Sequence, residues 1–171
     1  VLKRWGWLCF ILIVIIGTGC EGIERPVELS FETLAKDSFP GNELGDAEIT
    51  VAATAREGED LQFNTEGIID DKAGKELLKL DYNLKFVVLA LRAPLGSGGF
   101  GITVQRVIRQ GNRVRLEAIY IDRHPDAGAN DGFSRPFHLV VVDKDGAWGS
   151  PITFDLVVDD QIIATTTHMI P

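Results

Sequence analysis

The sequence predicts a mainly β protein, an antiparallel β-sandwich or partly open barrel with one short helix near residues 71–80. Three observations carry this. From residue 86 onward the apolar residues recur with period two or in short unbroken runs. Turn residues separate these runs at short intervals. Only one stretch has the caps and spacing of a helix.

The elements follow in order. Residues 47–55 (AEITVAATA) alternate weakly and predict a first strand. Residues 57–60 are charged and predict a turn. Asp70-Asp71 can cap a helix over residues 72–80 (KAGKELLKL), because Asp accepts hydrogen bonds from the free amides of a first helical turn. Residues 86–91 (FVVLAL) are a nearly continuous apolar run and suit a buried strand. Residues 102–108 alternate, Gln110-Gly111-Asn112 is a turn, and residues 113–121 alternate again. There, Val114, Leu116 and Ala118 fall on one face, and Arg113, Arg115 and Glu117 on the other. Residues 123–135 form a long loop, and residues 137–142 (FHLVVV) another strand. Residues 152–158 and 162–167 pair about Asp159-Asp160 as a hairpin. No internal repeat interrupts this order.

The N-terminal segment has a different chemistry. Lys3 and Arg4 precede an apolar stretch of about a dozen residues, Trp5 to Ile16, then Gly17-Thr18-Gly19-Cys20. A membrane-spanning helix needs roughly 20 apolar residues, so this stretch is of signal-peptide length. Small residues followed at once by Cys resemble bacterial lipoprotein signals. That resemblance implies that residues 1–19 are an export signal and that Cys20 is lipidated. Residues 20–45, with Pro26, Pro40, Gly41 and Gly45 among acids, read as the lipidated Cys and a tether, parts of which can dock as a strand or short helix. The β-rich globular domain is expected over residues 46–171. The expected location is the cell envelope, extracytoplasmic and lipid-anchored.

Charge and cysteine content narrow the function classes. The formal charge is −8 and falls to −10 without Lys3 and Arg4. Such a chain repels phosphate backbones and anionic lipid, so nucleic acid is not an expected partner. Besides Cys20 the only cysteine is Cys9, inside the expected signal. A domain without disulfides must rest on its apolar core.

Two motifs invite a chemical reading. Gly96, Gly98 and Gly101 satisfy G-x-G-x-x-G. A dinucleotide site needs a helix after the glycines, whereas Ile102-Thr103-Val104 is strand-like. A kinase needs a lysine strand and catalytic Asp motifs, which are absent. No nucleotide or other cofactor is expected, and a tight loop between strands suffices to explain the glycines. The segment Asp122-Arg123-His124-Pro125-Asp126, with Asp131, offers carboxylates for calcium and one His for zinc. The ligand set is incomplete and a solvated loop is the better reading, so no metal is expected. No G-x-S-x-G is present, and Ser97 has no identifiable base, so no enzyme is expected.

Residues 81–143 resemble the C-terminal domain of the bacterial protease complex subunit PrcB family. In that family a buried strand leads into a P-T-G-G-Y segment, then two strands, a Pro/Gly-rich loop and a Pro-aromatic pair opening a further strand. The counterparts are residues 86–91, Pro94 with Gly98-Gly99-Phe100, residues 102–108 and 114–120, the loop 125–132, and Pro136-Phe137. Leu95-Gly96-Ser97 are extra, and Phe100 stands where the family has Tyr. The resemblance implies a noncatalytic lipoprotein that binds a protein partner and stabilises or assembles an exported protease complex. The expected contact residues are Gly98, Gly99, Phe100, Phe133, Arg135 and Pro136, with Phe100 and Phe133 either exposed or filling the core. The pattern Gly111-Asn112-Arg113-Val114-Arg115-Leu116 also resembles chagasin-like protease inhibitors, which block proteases with three loops at one end of a sandwich. The counterpart loops are residues 95–101, residues 122–135, and either the turn near Gln110 or an N-terminal loop.

Overall fold

The computed structural model describes residues 24–41, 45–96, 98–122 and 132–171. Cys20 and residues 1–19, expected to be an export signal, lie outside the described residues. The chain is mainly β, with two sheets packed together as a sandwich. The strands are β1 (Val27–Leu29), β2 (Phe31–Pro40), β3 (Glu48–Ala52), β4 (Lys85–Leu91), β5 (Gly101–Gln110), β6 (Arg113–Ile121), β7 (Ser134–Asp143), β8 (Pro151–Val158) and β9 (Gln161–Met169). Two helices, α1 (Ala55–Asn64) and α2 (Asp71–Leu77), lie between β3 and β4. One sheet has the order β1-β5-β6-β8-β9, the other β2-β7-β4-β3. All neighbours are antiparallel except β6 and β8, which run parallel. The pairing is thus mainly antiparallel, with one parallel neighbour pair.

The unbroken apolar runs mark the two central strands of the four-stranded sheet. Phe86, Val88 and Ala90 of β4 and Val140 and Val142 of β7 face the five-stranded sheet. Val87, Leu89 and Leu91, with Leu139 and Val141, face the helices and form a second core. The molecule therefore has three layers, and β4 and β7 are apolar on both faces because both are covered. The strands of the five-stranded sheet alternate instead: Val114, Leu116 and Ala118 lie in the core, while Arg113 and Arg115 are exposed. The hairpin about Asp159-Asp160 forms as expected, both residues taking the positive φ (50° and 61°) that a tight two-residue turn requires.

Two expectations need correction. Residues 57–60 are not a turn but part of α1, so the described residues hold two helices rather than one. Thr54 caps α1 through its hydroxyl, which accepts from the Glu57 amide at 3.3 Å, while the Glu57 carboxylate accepts from the Thr54 amide at 3.1 Å. The folded body also begins earlier than residue 46. Residues 27–40, assigned to the tether with docking allowed, are β1 and β2. A register shift between Thr33 and Ala35 breaks the period-two pattern of β2 and hides it in the sequence. The helix expected over 71–80 is α2, capped by Asp70, whose carboxylate accepts from the Ala73 amide at 2.7 Å. It ends early, at Leu77.

Gly58 is required in α1. A Cβ there would lie 2.0 Å from the Tyr82 hydroxyl oxygen and 2.6 Å from the ring carbon bearing it. The Tyr82 hydroxyl donates to the Leu77 carbonyl at 3.1 Å, which fixes the ring against both helices.

One polar side chain joins the two sheets inside the core. His138 of β7 is 1% exposed. Its Nδ1 accepts from the Val104 amide of β5 at 2.8 Å, next to a bulge in that strand. Nδ1 must therefore be unprotonated, and Nε2–H donates to the Thr33 hydroxyl at 2.8 Å. Burial, with the Lys36 charge adding to it, pushes the imidazole down to about 4.

Two outcomes are expected. Gly58→Ala should lower stability by about 2 kcal/mol in urea unfolding, because overpacking against Tyr82 outweighs the gain of about 1 kcal/mol in helix propensity. The His138 imidazole is neutral in the folded chain, whereas in the unfolded chain it takes a proton near its ordinary value of 6.5. Between those limits the unfolded state binds the extra proton, so the contribution of His138 is complete above pH 6.5 and lost as pH falls to about 4. Urea midpoints should fall across that window by the equivalent of about 3 kcal/mol, and His138→Leu should flatten this part of the profile.

Candidate functional site

One end of the sandwich gathers the connections that the sequence singles out. β4 leaves the four-stranded sheet there, β5 starts, β6 ends and β7 starts. Leu95 and Ser134 exchange two backbone hydrogen bonds, at 2.9 and 2.8 Å. The Gly41 amide donates to the Phe133 carbonyl at 2.9 Å. The β4–β5 connection, the start of β7 and the end of β2 are thus bonded to one another. Gly99 (φ 90°) takes a backbone conformation that side-chain-bearing residues avoid.

Arg92 organises this end. Its guanidinium donates to the carbonyls of Gly101 (3.3 Å) and Ile121 (3.2 Å) and pairs with Asp122 at 3.3 Å. It also lies 4.0 Å from the Tyr120 ring centroid and 5.4 Å from that of Phe100. One cation therefore holds the first residue of β5 to the last of β6 while stacking between two rings. Nothing in the sequence flagged Arg92, since a lone Arg after an apolar strand forms no motif.

The expected contact residues fare differently. Gly98, Phe100 and Phe133 are half-buried, and Gly99 is exposed. Phe100 and Phe133 belong to neither core cluster. Arg135 is not a free cation. It pairs with Glu48 at 3.0 Å and donates to the Asp46 carbonyl at 2.9 Å. Pro136 is buried in β7, and its carbonyl accepts from the Arg92 amide at 2.9 Å, so it offers no contact surface and acts as a framework residue. Asp122 is the ion-pair partner of Arg92. Ser97, His124, Pro125, Asp126 and Asp131 lie outside the described residues. The Gln110–Asn112 turn joins the far ends of β5 and β6, away from residues 95–101.

Several other polar side chains hold elements together, whereas the Nε of Arg135 and the indole nitrogen of Trp148 are buried without a hydrogen-bond partner. His168 contacts the Glu57 carboxylate at 3.2 Å, tying β9 to α1. Asp155 of β8 is fully buried, yet its carboxyl lies below its ordinary range. Burial alone would raise it; hydrogen bonds from Arg113 and Thr165, and the Arg113 charge, more than offset that. Arg113 binds both carboxylate oxygens, and the Thr165 hydroxyl donates at 2.8 Å.

A cavity of about 460 Å³ lies between α1 and the helix-side face of the four-stranded sheet. Leu89, Leu91 and Phe137 form its floor, Phe39 and Leu61 its walls, and Arg135, Thr50, Asp60 and Asn64 also line it. The contributing residues come from β2, β3, α1, β4 and β7, so no local pattern announces the cavity. Among the described residues, no group of three or more His, Cys, Asp or Glu is placed to hold a metal ion.

Comparison with protein-family models, with curated proteins and with solved structures finds no match.

Arg92→Met should test how far this end depends on one cation. Losing three hydrogen-bonded contacts and two ring contacts is expected to cost about 2–3 kcal/mol in urea unfolding. Phe100→Ala, which leaves those hydrogen bonds in place, should cost less than half of that.

Proposed function

We propose that the chain is a noncatalytic, lipid-anchored module of the cell envelope that binds a protein partner through the end of the sandwich organised by Arg92. One observation carries this reading. Gly98-Gly99-Phe100 and Phe133 are presented on connections that Leu95 and Ser134 bond directly to one another. Half-buried aromatic rings beside flexible glycines, held on a bonded framework, suit an interface hot spot, where aromatic anchors supply most of the energy. The resemblance of residues 81–143 to the PrcB family supports an exported protease complex as the partner. The Gly-rich segment stands between β4 and β5, as in that family's order. The motif Gly17-Thr18-Gly19-Cys20 supports lipidation at Cys20. The described histidines, buried His138 and partly exposed His168, are taken up in holding elements together, which favours binding over catalysis.

A second reading, a loop-blocking protease inhibitor, is favoured by one feature. The β2 end at Gly41, the β4–β5 connection and the start of β7 are bonded at the same end. The N-terminal loop rather than the turn near Gln110 then completes the set of three.

The full chain, isolated from membranes, should retain a specific co-purifying protein. The Phe100→Ala/Phe133→Ala double variant should lose it while its melting temperature stays within about 3 °C of the parent. Cys20→Ser should shift the chain out of the lipid fraction. Undiminished capture by the double variant, or its unfolding, would overturn the reading. Inhibition of papain-like proteases at micromolar concentration would favour the second reading instead.

A further inference from the structure

We propose that the sandwich end opposite Arg92 lies against the phospholipid headgroups of the anchoring membrane, so that the Arg92 end stands outward. This deepens the reading above and rests on it in one respect, that the chain is held to a membrane by residues ahead of Glu24.

The position of Glu24 fixes which end is near the bilayer. The Gln110 side chain, in the β5–β6 turn, donates to the Glu24 carbonyl at 3.2 Å. Val27, the first residue of β1, pairs with Arg109 at the end of β5. The chain therefore enters the fold at the end farthest from Gly101 and Arg92. Four residues separate Cys20 from Glu24, and a fully extended chain covers at most about 14 Å over that count. The ten residues of β5 carry the other end roughly 30 Å farther away.

The side chains at the two ends favour the same orientation. The entry end exposes Val27 on β1, Met169 on β9 and Leu84 in the turn before β4, with Ala147 on the β7–β8 connection. These come from both sheets and from both edges of one, so they are spread across the whole end. The charges among them balance, Glu24, Asp81 and Asp145 against Arg25, Arg109 and Lys144. A neutral surface with exposed apolar side chains can enter the headgroup layer without a charge penalty. The Arg92 end also exposes Ile121 and Ile162, but beside Asp122 and Asp159-Asp160. Its two cations, Arg92 and Arg135, are already paired with Asp122 and Glu48. Asp46, Asp159 and Asp160 form no ion pair among the described residues. An anionic bilayer repels that end. The surface proposed for the protein partner is thereby kept clear of the membrane.

The test places a fluorophore at either end of the full chain, through Leu84→Cys or Ile162→Cys, both exposed positions. The labelled chains, isolated from membranes, are reconstituted into vesicles of phosphatidylcholine and phosphatidylglycerol that contain a lipid with a spin-labelled headgroup. Quenching at position 84 is expected to exceed that at position 162 by at least about threefold, since roughly 30 Å separates the two ends. Adding Val27→Glu and Met169→Glu should cut that ratio to about half or less, because the apolar contact is lost while the attachment remains. Its urea midpoint reports whether this variant is folded, and Ala147→Glu, on an exposed connection, replaces it if it is not. Equal quenching at the two positions overturns the proposal, as does a ratio that the added glutamates leave unchanged. Mass spectrometry of the labelled parent chain separates this from the lipidation reading. A free thiol at Cys20 in a chain that stays on the vesicles overturns lipidation alone, since the apolar residues 5–16 also precede Glu24. A chain that leaves the vesicles overturns both.

Discussion

The structure depends on one pair of strands, β4 and β7, being covered on both faces. Seven consecutive residues of β4 pair with β7, from Lys85 opposite Asp143 to Leu91 opposite Phe137. Each side chain of this pair faces either the five-stranded sheet or the helices. A fully buried Val, Leu or Phe is stabilised by about 1.5–3 kcal/mol relative to an exposed one, so this ribbon concentrates much of the apolar driving force in two short segments. The other elements are placed by what they cover. The five-stranded sheet covers one face, α1 and α2 the other, and β2 and β3 flank the ribbon as edges.

Polar groups inside this framework occur where a backbone or charge would otherwise lack a partner. The β5 bulge turns the Val104 amide away from a ladder position, and His138 from the opposite sheet accepts it. An unpaired buried amide costs about 1–3 kcal/mol. The imidazole therefore does two jobs: it removes that cost and fixes the spacing of the sheets at their β5–β7 approach. Asp155 and Arg113 play a similar part across the parallel β6–β8 pair. There a buried carboxylate stays ionised because a guanidinium and a hydroxyl surround it. Arg92 repeats the pattern at the sandwich end, between the Tyr120 and Phe100 rings.

What could be read from the sequence was what depends on local order. The runs at 86–91 and 137–142 are unbroken because their strands have no wet face, and the glycines and the Asp159-Asp160 pair mark connections that are connections. What could not be read depends on distant partners. α1 begins with a Thr54/Glu57 capping box that was present in the sequence. Its apolar face is only Leu61, and Gly58 is shaped by a tyrosine 24 positions onward. β2 is disguised by its bulge. The parallel pairing of β6 with β8 and the stacking of Arg92 arise only once the sheets assemble. Of the contact residues proposed from sequence, Gly98, Gly99, Phe100 and Phe133 lie at the surface or half-buried. Pro136 and Arg135 are framework, because in β7 a neighbouring strand or carboxylate has already engaged them.

β7 explains why surface and core roles sit so close together. Phe133 leads into the strand at the sandwich end. Arg135 lines the cavity, Phe137 is its floor, and His138 faces the other way to bond β5. Alternation along one strand thus assigns successive residues to different tasks. Because β7 is paired on both edges, to β2 and β4, and covered on both faces, its backbone has little freedom. Side chains projecting from such a strand keep fixed relative positions, which a recognition surface needs if binding is not to spend its energy on ordering loops.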